Sequence, residues 1–147
     1  MLGLYLVTQL HDMKELGNAD LMDNYVTFLA GIFRSVRFGA ADAHGRANLA
    51  QFEFFKAAGA FSRDAATGTY RVDADKMRSA INAYCEKVLR IQGDGDYAAA
   101  VAFLPKSDSM DPQLKTDLDG LATANIPTDV VFKQGMDVLQ AGAAPAH

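Results

Sequence analysis

One cysteine is all the thiol this 147-residue chain carries. Cys85 excludes an intramolecular disulfide, and a reducing compartment is the natural setting for such a chain. It sits mid-helix among apolar neighbours with no histidine near it in sequence, so packing is expected of it rather than nucleophilic attack. Long apolar runs are missing as well. No stretch approaches the roughly 20 residues that span a bilayer. The apolar start, Met1-Leu-Gly-Leu-Tyr-Leu-Val-Thr-Gln-Leu10, lacks a positive n-region and a small-residue cleavage site, so it does not read as a signal peptide. A soluble, cytoplasmic protein with no membrane partner is expected. Basic charge is also short: the net charge is −4 and the pI about 5.2. That argues against a nucleic-acid partner, which asks for a basic face.

Several site motifs are absent too. A helical zinc-hydrolase motif places two histidines one turn apart. The three histidines here, His11, His44 and His147, are nowhere at that spacing, so no metal ligand is assigned within this chain. Gln92-Gly-Asp-Gly-Asp-Tyr97 resembles the start of a calcium loop. Counting from Asp94, however, the sixth position is Ala99 and the twelfth Pro105, where glycine and glutamate are required. Gly93 and Gly95 follow no strand, which a dinucleotide-binding turn needs. No Gly-x-Ser-x-Gly elbow occurs, although a tertiary Ser-His-Asp arrangement leaves no trace in sequence.

What the chain does have is helical periodicity. Half of its residues are hydrophobic and 22% are charged, enough to bury a core. Leu2, Tyr5, Leu6, Leu10 and Met13 recur at helical spacing and predict a helix over 2–16, stopped by Gly17. Asn18 or Asp20 caps a second helix that Gly39 ends. Its apolar residues, from Leu21 through Tyr25, Phe28, Leu29, Ile32 and Phe33 to Val36, cover more than one stripe, as in a helix buried on several sides. A third helix is expected from Asp42–Arg46 to Ala58, with Gly59 as its stop. Phe61 to Val72 reads as a short hairpin, with Ala66-Thr-Gly68 as the turn. Asp73 starts an amphipathic helix through Met77, Ile81, Tyr84, Val88 and Ile91, which Gly93 is expected to end. Asp96 caps a short helix to Phe103, and Asp111-Pro112 opens another running to about Ala124. Ile126-Pro-Thr-Asp-Val-Val-Phe132 is expected to be extended, 137–139 to form a last turn, and 141–147 to be a flexible tail. There is no internal repeat. The fold class predicted is mainly α, a helical-lobe segment of about five or six helices with one or two short extended segments or a small hairpin. It is read as a single helical domain over 1–140.

One stretch carries chemistry. Arg34, Arg37, His44 and Arg46 fall within thirteen residues, among Phe38, Phe52, Phe54 and Phe55, which are expected in the core. If the third helix begins just after Asp42, His44 and Arg46 occupy its first turn, where free N–H groups and the positive end of the helix dipole favour negative charge. A histidine there favours its neutral form and still donates a hydrogen bond. Arg34 and Arg37 sit near the negative end of the preceding helix, which suits cations without any functional role.

The same stretch, Arg34-Ser-Val-Arg-Phe-Gly-Ala-Ala-Asp-Ala-His-Gly-Arg-Ala-Asn48, resembles the substrate-side segment of the dipeptidyl peptidase III family of zinc exopeptidases, and the peptidase-like part of some plant Nudix-fusion proteins is similar. The likeness continues through Asn24-Tyr-Val-Thr-Phe-Leu-Ala-Gly-Ile-Phe33, Thr69-Tyr-Arg-Val72, Asp75-Lys-Met77, Ile91-Gln-Gly-Asp-Gly-Asp-Tyr97 and Ile126-Pro-Thr-Asp-Val-Val-Phe132. It implies a two-lobed metallopeptidase whose zinc is held by two histidines and a glutamate, with a further glutamate activating water. These would lie upstream of Met1, so the resemblance implies a C-terminal portion, inactive alone. Zinc is then the cofactor of the full-length enzyme and not of this chain. His44 matches the histidine that reaches the bound peptide and stabilises the tetrahedral intermediate, and Arg46 and Asn48 are implied to hold the peptide backbone. Ala41-Asp42 stands where relatives often carry small hydroxyl residues. The implied partners are a peptide substrate, the missing N-terminal peptidase segment, or further copies of the chain meeting through exposed apolar surface. The alternative is a non-catalytic peptide- or anion-binding module around Arg37, His44 and Arg46.

Overall fold

The computed structural model describes residues 1–39, 43–106, 110–129, 132, 135, 136 and 138. Among these are six helices and one hairpin: α1 (Leu2–Asp12), α2 (Leu21–Val36), α3 (Ala43–Ala57), β1 (Phe61–Arg63), β2 (Tyr70–Val72), α4 (Ala74–Asp94), α5 (Tyr97–Phe103) and α6 (Pro112–Thr123). The mainly α class predicted from the sequence is the class observed.

Aspartate opens four of the helices. The carboxylates of Asp20, Asp73, Asp96 and Asp111 accept from the backbone N–H groups of Met22, Lys76, Ala99 and Leu114. Each satisfies a donor that has no partner within its own helix. Two predicted ends differ. α1 stops at Asp12 because Lys14 takes the left-handed conformation, φ 63°, while the Glu15 N–H reaches back to the Leu10 carbonyl at 2.9 Å. A lysine thus fills a place that glycine usually takes. α4 runs through Gly93 and ends at Gly95, φ 64°, whose neighbour Asp96 donates its N–H to the Ile91 carbonyl at 3.1 Å.

The hairpin is antiparallel, with Phe61 opposite Val72, Ser62 opposite Arg71 and Arg63 opposite Tyr70. Asp64 closes its turn by accepting from the N–H groups of Ala66 and Thr67.

α2 is the central helix and packs on α1, α3, α4 and β2. Tyr25, Leu29, Ile32 and Val36 form its buried face, and Val26 on another side is 49% exposed. The wrapping expected on several sides is therefore incomplete. Leu49, Phe52 and Phe55 of α3, Met77 and Ile81 of α4, and Leu114 of α6 complete the core. Aromatic rings link its parts: Phe33 lies 5.6 Å from Phe52 and 4.7 Å from Tyr70, and Tyr84 lies 5.2 Å from Phe54 and 5.3 Å from Phe103. Cys85 is buried in the core, and burial pushes its thiol pKa up. That leaves the unreactive protonated form at neutral pH. Among the described residues no helix is long and apolar enough to cross a membrane. Residues 141–147 and most of the expected last turn, with Val130 and Val131, lie outside the described residues. Residues 126–129 form neither helix nor strand.

Candidate functional site

The end of α2 and the start of α3 set the geometry of the site. Gly39, φ 104°, turns the chain after α2. Phe38 just before it is 49% exposed and not in the core as expected. It lies past the last helical turn, where its ring packs 5.7 Å from the Arg34 guanidinium instead of against the interior. Arg34 also pairs with Asp129 at 3.4 Å. Arg37 donates through Nη1 to the Pro127 carbonyl at 3.1 Å and through Nη2 to the Ile126 carbonyl at 2.7 Å. Both terminal nitrogens of Arg37, expected to bind substrate, are thus engaged within the fold.

α3 begins at Ala43, so His44 and Arg46 do fall in its first turn. His44 is exposed and Gly45 beside it is buried. Asn48 lies one turn on, and its Nδ2 donates to the His44 carbonyl at 2.9 Å. His44 and Asn48 therefore share a face. Arg46 does not, since two residues along a helix rotate a side chain by roughly 200°. It is half-buried, and its Nε is enclosed without a hydrogen-bond partner. Asp42 lies outside the described residues.

A second polar constellation escaped the sequence reading. Asp117 of α6 accepts from Arg63 twice, Nε to Oδ2 and Nη2 to Oδ1, both at 2.8 Å. Tyr70 Oη donates to Oδ2 at 2.6 Å and Gln113 Nε2 to Oδ1 at 3.1 Å. The Arg63 guanidinium holds the Asp117 carboxyl below its usual range. Burial, then the Asp117 carboxylate, push the Tyr70 phenol well up, so it remains a neutral donor. Beside this group a groove of about 760 Å³ opens between α2, the hairpin and α6, walled by Val26, Phe33, Tyr70, Val72 and Leu121. No spacing rule ties residues 47 and 54 positions apart, so sequence carried no signal for it.

Metal-ligating side chains do not converge: among the described residues no group of three or more His, Cys, Asp or Glu is placed to hold an ion. The zinc implied by the resemblance therefore does not fit the residues described here. His11 Nδ1 is 3.7 Å from Asp12, which is itself bound by Arg78.

No protein-family model matches the sequence. Nudix hydrolase 3 of Arabidopsis thaliana is 35% identical over 130 residues, 88% of this chain and 17% of that protein. Two solved structures match the fold. Dipeptidyl peptidase III from Caldithrix abyssi superposes with a TM-score of 0.78 at 32% identity, and the enzyme from Corallococcus sp. strain EGB with 0.77 at 34%. Each match covers 88% of this chain and 24% of the other, so the chain spans about a quarter of the solved proteins it matches. In sequence and in fold, then, this chain is similar to one segment, about a quarter, of these dipeptidyl peptidase III structures.

Proposed function

We propose that the chain is the C-terminal portion of a dipeptidyl peptidase III-like zinc exopeptidase, supplying a substrate-side histidine and helical-lobe packing, and that it does not hydrolyse peptides alone. What carries this reading is the match at 32% and 34% identity with TM-scores of 0.78 and 0.77 over 88% of the chain. In this role His44, exposed in the first turn of α3, donates to the oxygen that gains negative charge as the peptide carbonyl is attacked. The positive end of α3 acts in the same direction. Asn48, its amide nitrogen engaged at the His44 carbonyl, keeps its side-chain oxygen for a peptide N–H. Arg46, expected to hold the peptide backbone, is rotated by roughly 200° from His44 and half-buried, and is given no peptide contact in this reading. Arg37 acts indirectly, by fixing the carbonyls of Ile126 and Pro127 beside the end of α2. In this reading the zinc ligands belong to the rest of the enzyme, since among the described residues no group of three or more His, Cys, Asp or Glu is placed to hold an ion.

The test is a chimera in which this chain replaces the matching quarter of the Caldithrix abyssi enzyme. Release of dipeptides by the folded chimera supports the reading, and a folded but inactive chimera overturns it. The enclosed, unpartnered Nε of Arg46 favours the second reading, a non-catalytic peptide- or anion-binding module. Calorimetric binding of a short peptide by the isolated chain, lost in Arg46→Leu, would support that module.

A further inference from the structure

Residues 110–129 are attached differently from the rest of the fold. Leu114 is the one wholly buried side chain of α6 among the described residues, with Met110 and Leu118 partly buried. Open grooves of about 760, 270 and 270 Å³ run between the segment and the body, so solvent reaches its edges. What spans the gaps is charge. Lys56 of α3 pairs with Asp111, Arg63 of β1 grips Asp117 at two points, Arg34 of α2 pairs with Asp129, and Arg37 holds two carbonyls beyond the helix end. In each of these ion pairs the carboxylate is on the segment and the cation on the body. Elements joined by few apolar contacts and many solvent-reachable polar ones open at lower cost than the core.

We infer that 110–129 is a flap, latched onto cations of the body, that opens as a unit before the body unfolds, with ionic strength setting how often. Opening frees the guanidinium groups of Arg37 and Arg63 and widens the groove at its half-buried apolar wall, Phe33, Tyr70 and Val72. The inference is independent of any peptidase role.

Amide hydrogen exchange on the intact chain tests it. Raising salt from about 0.01 M to about 1 M shortens the Debye length from roughly 30 Å to roughly 3 Å. Amides of α6 should then exchange severalfold faster while those of α2 and α4 hold their rates. Asp117→Asn should speed α6 exchange about tenfold at low salt, as loss of a charged two-point hydrogen bond implies. Lys56→Gln, at an exposed rim position, should act in the same direction with less risk to folding. Exchange of α6 that tracks α4 under every condition, or that ignores salt and both substitutions, would overturn the flap.

Discussion

Thr8 and Tyr25 meet hydroxyl to hydroxyl at 3.2 Å in the seam between α1 and α2, and both are sealed from solvent, at 0% and 1% exposure. Thr8 spends its one hydrogen on the Leu4 carbonyl at 2.9 Å, so Tyr25 must be the donor between them. The two deletions then differ. Thr8→Val leaves a buried phenol donor without a partner and should cost about 1–3 kcal/mol. Tyr25→Phe leaves the Thr8 donor satisfied and should cost about 0.5–1.5 kcal/mol. Urea unfolding of the two variants and their double mutant checks the order; a larger loss in Tyr25→Phe would reverse the donor assignment.

Glu53 pulls stability the other way. Its Oε1 is enclosed without a hydrogen-bond partner, and burial, with Asp111 adding and Lys56 opposing, pushes its pKa up. A raised carboxyl pKa means that the folded state holds the proton more tightly than the unfolded chain. Stability is therefore lost as pH climbs from the unfolded value, about 4.3, through the higher folded one. Glu53→Gln should stabilise the protein at pH 7 and give no gain well below pH 4. Melting temperatures at the two pH values decide it.

His44 and Asn48 can be separated kinetically in the chimeric peptidase. His44→Ala should lower kcat by about 10²–10³-fold, the usual loss when one oxyanion donor is removed. Asn48→Ala should act mainly on KM, as expected of a residue that binds ground state and transition state alike. Unchanged kcat in His44→Ala would leave the histidine without its proposed role.

The outer face of α1 presents Leu2, Leu6, Leu10 and Met13 at 44%, 57%, 38% and 66% exposure. An apolar stripe of this kind drives association. The isolated chain should sediment as more than a monomer at micromolar concentration, and Leu6→Lys with Leu10→Lys should return it toward one. A monomer before substitution would show that the stripe needs no cover.

Much of this fold could be read from the sequence because its signals are local. Aspartate caps at 20, 73, 96 and 111 act within three residues, and Gly59 stops α3 where expected. The end of α1 could not be read, because Lys14 adopts a backbone conformation its residue type disfavours. Gly93 and Gly95 compete for one role, and only the hydrogen bond from Asp96 to Ile91 selects the second. At the site, the placing of His44 followed from helix punctuation. The grouping of Arg46 with it followed from nearness in sequence, which helical geometry undoes. The partners of Arg37 lie 89 and 90 residues away, beyond the reach of any periodicity.

The bond from Tyr70 to Asp117 also has an optical consequence. The chain contains no tryptophan, so its ultraviolet emission is dominated by five tyrosines. A phenol hydrogen-bonded to a carboxylate emits weakly, so Tyr70 should be quenched while Asp117 holds it at 2.6 Å. Parting the two should brighten the protein. The molecule thus carries its own lamp for the seam between hairpin and α6, readable in a stopped-flow cell with no label attached.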